Sequence, residues 1–198
     1  MNSKVLVAYA TSSGSTAEVA EAIGKTLGQE GAQVDVRPIK DVEDLSAYDA
    51  VLVGGPMIMG WHRQAVKFLT KNQQALSQMP VAYFVTALNL TKTPQESVEG
   101  VPLYCDPRLP KTPQNPDKLS FKDNYATPSK YLAPVLKKAP KVKPVSVGFF
   151  GGKLDYSTLN IFYMLFVMLI IQAQPGDYRD WEAIDAWAAS LRPALSGA

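Results

Sequence analysis

The chain has 198 residues, 46% of them hydrophobic and 19% charged, with a net charge of +2. This composition excludes a collagen-like, disordered or disulfide-scaffold chain, and so small a net charge gives no reason to expect a nucleic-acid partner. The only cysteine, Cys105, has no intramolecular disulfide partner, and no secretory pattern opens the sequence, so a reducing cytoplasm is the expected location. Cys105 lies among prolines with no second Cys or His nearby in the sequence and reads as an inert thiol. One domain over residues 1–198 is expected.

Val5 to Ala10 is a short apolar run of strand-forming residues, followed by a small polar loop and then Ala17, Val19, Ala20, Ile23 and Leu27 at helical spacing. Gly31 stops that helix, and Val34 to Ile39 alternates as a second strand, with a connecting turn over Asp41 to Leu45. Ala50 to Gly54 is apolar on both faces, as in a central parallel strand, and a helical pattern resumes over Ala65 to Leu76. Val81 to Val85 and Val145 to Phe150 read as fourth and fifth strands, and Tyr178 to Leu191 as a closing amphipathic helix that packs Trp181 and Trp187 in the core. Strands alternating with helices in this way predict an α/β fold: a doubly wound, five-stranded parallel sheet with helices on both faces.

Two segments interrupt the alternation. A long Pro-rich insertion after strand 4, at about 91–140, carries nine of the fifteen prolines and reads as a lid or binding loop, with a helix inside Tyr125 to Lys138. Residues 91–143 hold ten Lys/Arg against five Asp/Glu, so the basic surplus belongs to this segment. The second segment, 159–171, is apolar all round, and its uninterrupted part from Ile161 to Ile171 is shorter than the roughly twenty residues that span a membrane. Such a helix must bury every face, which leaves three readings: core, dimer contact, or docking at the inner face of a membrane.

Thr11-Ser12-Ser13-Gly14-Ser15-Thr16 joins the first strand to the first helix, where backbone N–H groups and the helix dipole meet an anion. Five hydroxyl side chains around one glycine suit a phosphate monoester. The loop lacks both the Gly-x-Gly-x-x-Gly of a dinucleotide site and the Gly-Lys-Ser/Thr of a triphosphate loop. No Cys, His, Asp and Glu cluster has metal-ligand spacing, so no metal is expected.

Thr11, Gly14 and Thr16 resemble the phosphate loop of the flavodoxin family, with Ser13 standing where that family usually has Thr. The resemblance implies non-covalent FMN held by the loops after strands one, three and four. The second loop then supplies Pro56, Met57, Ile58, Met59, Gly60, Trp61 and His62, with Trp61 offered to the flavin face and His62 to its N1 and C2 carbonyl edge. The third loop supplies Thr86, Ala87, Leu88 and Asn89, and Gly151 to Tyr156 sits at the same sheet edge, where it flanks the site or forms a tight turn.

The chain is also similar to the menaquinone-dependent protoporphyrinogen dehydrogenases. The shared features are the glycine followed by two ring residues at Gly60-Trp61-His62, the Asn89-Leu90 pair, Gly152-Lys-Leu-Asp-Tyr156 with an apolar helix after it, and Asp180-Trp181-Glu182. That likeness implies an FMN-dependent oxidoreductase passing electrons or hydride to an acceptor such as a quinone, with the insertion as a substrate-side lid. Two other readings stay open: an electron carrier that docks on a redox partner, and a flavin-free partner-binding domain.

Overall fold

Apolar, β-branched runs buried on both sides build the centre of the molecule in the computed structural model, which describes residues 3–29, 31–58, 60–155, 157, 161–166, 168–169 and 174–195. In chain order the first half comprises β1 (Lys4–Tyr9), α1 (Ser15–Gln29), β2 (Gln33–Pro38), β3 (Ala50–Met57), α2 (Arg63–Lys71), α3 (Gln73–Leu76) and β4 (Val81–Ala87). The insertion contributes β5 (Leu90–Thr91), β6 (Ser97–Val98), β7 (Val101–Cys105), β8 (Pro110–Lys111), α4 (Phe121–Tyr125) and α5 (Pro128–Lys138). β9 (Ser146–Gly151), β10 (Lys153–Leu154), α6 (Ile161–Phe166), β11 (Gly176–Asp177), α7 (Trp181–Ser190) and α8 (Arg192–Leu195) follow.

The main sheet has the order β2-β1-β3-β4-β9-β7-β6 and is parallel except for the β6–β7 hairpin. All five expected strands are present, but the sheet has seven, because the insertion supplies two more. β7 lies parallel to β9 in the register Leu103 to Val147, and β6 folds back on it at the edge. Pro102 is tolerated because it lies just before the ladder to β9, which begins at Leu103, so its missing N–H removes no bond within the paired stretch.

Helices cover both faces. On one, Val19, Ile23 and Leu27 of α1 and Ile184, Trp187 and Ala188 of α7 pack on Val5, Val7, Leu52, Phe84 and Phe150. On the other, Phe68 and Leu69 of α2, Leu76 of α3 and Tyr131, Leu132 and Val135 of α5 pack on Leu6, Val53, Tyr83, Val85 and Phe149. The helix expected over Ala65 to Leu76 is broken at Asn72, whose side-chain amide donates to the Phe68 carbonyl at 2.9 Å and closes α2. α5 opens with Thr127 as its cap and Pro128 in the first turn, and its internal Pro134 sits on the exposed side.

The closing helix begins at Trp181 rather than Tyr178, because the Asp180 carboxylate accepts the Ala183 N–H at 3.2 Å and caps it there. Trp181 is consequently 40% exposed, with the Arg179 guanidinium 4.5 Å above its ring, and only Trp187 of the expected pair is core. In the apolar segment, Ile161 is 55% and Leu169 67% exposed, and Leu165 and Met168 are exposed as well. These four side chains are therefore not core. No helix among the described residues is long and apolar enough to cross a membrane.

Candidate functional site

The parallel strands β1, β3 and β4 all end on one side of the sheet, so the three loops that follow them converge there. Gly14, at φ +89°, makes the sharp turn into α1, a conformation a side chain would strain. Its N–H donates to the Thr11 hydroxyl at 2.9 Å, and its carbonyl accepts the N–H groups of Ala17 and Glu18 at 2.9 and 3.3 Å. The N–H groups of Ser15 and Thr16 then belong to the first turn of α1, where a helix has no internal acceptors and its dipole is positive. Such a turn is able to hold an anion. The buried hydroxyls of Thr16 and Thr86 share a hydrogen bond at 2.9 Å, which ties the first loop to the third.

A narrow cleft runs between the loops. Ser12, Ser13, Ser15 and Thr16 line one end, Pro56, Met57 and Ile58 one side, and Thr86, Ala87 and Leu88 the other. The hydroxyl-rich end fits a phosphate monoester, and the apolar sides fit a flat ring. The enclosed volume of 40 Å³ is well below the ~300 Å³ of a usual small-molecule pocket, so a ligand of flavin size extends beyond it or parts the loops. A larger concavity, 730 Å³, lies at the opposite end of the strands between α5 and the β6–β7 turn, away from this chemistry.

The structure places the remaining candidates elsewhere. After β3, Gly60 at φ +100° turns the chain back so that Trp61 bridges Met57, and the His62 N–H donates to the Pro56 carbonyl at 3.1 Å. This carries the Trp61 indole into the core, where its Nε1 donates to the Gly55 carbonyl at 2.9 Å and its ring lies 5.3 Å from that of Tyr83. It is not offered to the cleft. His62 caps α2, its Nδ1 accepting the Gln64 N–H at 3.3 Å, and partial burial lowers its pKa. Thr11 and Gly14 shape the first loop from behind, Asn89 lines a neighbouring concavity, and Met59 lies outside the described residues.

Gly152, Lys153 and Leu154 form a further wall, at the sheet edge the sequence pointed to. They are held from both sides. The Gly152 N–H donates to the Ala87 carbonyl at 3.0 Å, the Tyr178 N–H donates to the Gly152 carbonyl at 3.0 Å, and β10 pairs with β11. A Cβ on Gly151 would fall 1.9 Å from the Tyr178 carbonyl oxygen, so only glycine admits this contact. The buried Asp106 carboxylate accepts the Gly151 N–H at 3.1 Å and the Arg108 N–H at 2.8 Å, and locks the insertion to the same loop.

Sequence reasoning missed Arg179. Its buried guanidinium donates to Asp177 at 2.5 Å from Nη2 and 2.8 Å from Nε, and from Nη1 to Glu18 at 2.8 Å and to the Ser15 carbonyl at 3.5 Å. The hydrogen bonds from Arg179 hold the Asp177 carboxyl below its ordinary value. This clamp joins the first turn of α1 to β11. Its only sequence signal is the cluster Asp177-Tyr-Arg-Asp180 after a long uncharged run.

Comparison with known proteins agrees with this fold. Protoporphyrinogen IX dehydrogenase [quinone] of Escherichia coli strain K12 is 26% identical over 95% of this chain and 94% of its own length. A short-chain flavodoxin associated with a non-canonical PDU bacterial microcompartment superposes with a TM-score of 0.54 at 13% identity, covering 98% of this chain and 99% of that one. Against the rubredoxin:oxygen oxidoreductase of Desulfovibrio gigas, with a TM-score of 0.50 and 15% identity, 98% of this chain spans 36% of the larger protein. The model of the flavodoxin domain matches residues 6–179, so the chain belongs to the flavodoxin-domain family, whose cofactor is FMN.

Proposed function

We propose that the chain is an FMN-dependent oxidoreductase that takes hydrogen from an organic substrate and passes it to a quinone, after the manner of protoporphyrinogen IX dehydrogenase. The observation that carries this reading is that the segment bearing the exposed Ile161, Leu165, Met168 and Leu169 is rooted in the wall of the cleft. β10 leads into residues 155–175 and β11 leads out of them, and Leu154, which pairs with Gly176, lines the cleft itself. A lipid-soluble acceptor and a cofactor site would meet at that junction.

In this reading the N–H groups of Ser15 and Thr16 and the hydroxyls of Ser12, Ser13 and Ser15 hold the phosphate of FMN. Dipoles and hydroxyls neutralise it, since Lys153 is the only cation among the described lining residues. Thr16 and Thr86 keep the two loops in register. Pro56, Met57, Ile58, Ala87, Leu88 and Leu154 flank the ring and exclude water. FMN, when bound, supplies hydride and single-electron chemistry. Each two-electron, two-proton oxidation of substrate is balanced by one quinone becoming its quinol. Ile161, Leu165, Met168 and Leu169 then contact the bilayer surface that holds the quinone.

The test is anaerobic incubation of the FMN-loaded protein with protoporphyrinogen IX and menadione, read by porphyrin fluorescence. The reading expects fluorescence growth that requires both protein and quinone. Growth at the rate of the protein-free control would contradict it and leave the carrier.

A further inference from the structure

We propose that the arm from Pro107 to Asp123 builds an anion subsite beside the cleft, in which Lys111 and Lys118 hold the carboxylate arms of the substrate; this rests on the oxidoreductase reading above. Topology sets the location. β7 runs parallel to β9, so the chain leaves the sheet at Asp106 on the carboxyl edge, where Asp106 binds Gly151. β8 then pairs with β5, the continuation of the third loop. Leu88 lines the cleft, and the next residue, Asn89, lines a second concavity of 520 Å³ whose other walls include Lys111, Thr112, Lys118, Ser120 and Lys122. That volume suits a sizeable part of a small organic ligand.

The chemistry of the walls selects the ligand. Of the two acidic groups in the arm, Asp123 lines the concavity and accepts the Ser120 hydroxyl at 2.6 Å, whereas Asp117 is exposed and does not line it. Arg108 pairs with Asp180 at 2.9 Å. Lys111 and Lys118 are exposed and have no acidic partner among the described residues. The Asn115 side-chain oxygen accepts the N–H groups of Asp117 and Lys118, both at 3.1 Å, and fixes the backbone that carries Lys118.

Asn89 is nine-tenths buried, and its side-chain amide has no partner among the described residues. Between two lining residues, Phe121 is 87% exposed and stacks on Tyr125. Tyr125 meets Tyr131 edge-on, and the Tyr131 hydroxyl donates to the Asn89 carbonyl at 3.1 Å. These rings do not line the concavity but lie beside it, and an exposed aromatic face next to a lysine-bearing rim suits a planar apolar body bearing acid groups.

The probes are protoporphyrin IX and its dimethyl ester, which keeps the ring and removes both charges, titrated by fluorescence into the FMN-loaded protein. The diacid should bind about tenfold more tightly than the diester, a preference that weakens with salt. Lys111→Glu/Lys118→Glu should abolish the preference while leaving diester affinity and FMN content unchanged. Lys137→Glu, at the opposite end of the strands, should preserve it. Equal affinity for diacid and diester, a preference that survives the double charge reversal, or no porphyrin binding by FMN-loaded protein would each overturn the subsite. Absence of quinone-dependent turnover with the diacid preference intact would strike the oxidoreductase reading instead.

Discussion

Replacing Thr16 with Val keeps the shape of the side chain but leaves the Thr86 hydroxyl, buried and 2.9 Å from the lost oxygen, without its partner. An orphaned buried hydroxyl costs about 1–3 kcal/mol, whereas removing both partners in Thr16→Val/Thr86→Val is close to neutral because no polar group is left unpaired. The pair should therefore be strongly non-additive, with the double variant at least as stable as either single one. In urea unfolding of the apoprotein, a loss of about 2 kcal/mol moves the midpoint by roughly 1 M at an m-value near 2 kcal/mol/M. Single-variant costs that simply add in the double variant would refute the argument that this bond ties the first loop to the third.

The remaining predictions concern the frame around the cleft. Gly151→Ala drives a methyl group to within 1.9 Å of the Tyr178 carbonyl oxygen, which is backbone and cannot swing aside, so thermal unfolding should show a loss of about 1–3 kcal/mol. Deleting Glu96 to Lys122 removes β7 as well as the arm, so the melting temperature should fall by several degrees, and retention of the parent value would contradict the pairing of β7 with β9. Burial lowers the pKa of His62, so its folded form favours neutral imidazole. The stability this confers is complete above the ordinary value of about 6.5 and is lost as pH falls through the folded value, and the single imidazole in NMR should titrate below that ordinary value.

What was legible in the sequence was local. The run from Val5 to Ala10, the hydroxyl loop and the spacing of Val19, Ile23 and Leu27 lie within one β-loop-α unit, and the structure realises that unit as β1, the loop and α1. β7 was not legible, because Val101-Pro-Leu-Tyr-Cys105 is short, proline-bearing and surrounded by prolines. It is a strand through its pairing with β9. Trp61 shows the same limit within the site: the residue after Gly60 reads as a ring near a ligand, and the turn at Gly60 carries it into the core beside Tyr83. Cys105 agrees with its sequence reading, since burial and then Asp106 push its thiol up to about 11. The Arg179 clamp spans 161 residues to Glu18, and no local pattern announces such a partner.

The central claim is that the cleft between these loops holds FMN by its phosphate. The most direct measurement is the visible spectrum after mixing with FMN and desalting, for the parent chain and for Gly14→Asp, which puts a negative charge and a strained φ into the phosphate turn. The account predicts retained flavin bands in the parent and none in a folded Gly14→Asp protein. Equal retention by both would contradict the phosphate site, and no bands in either would contradict FMN binding itself.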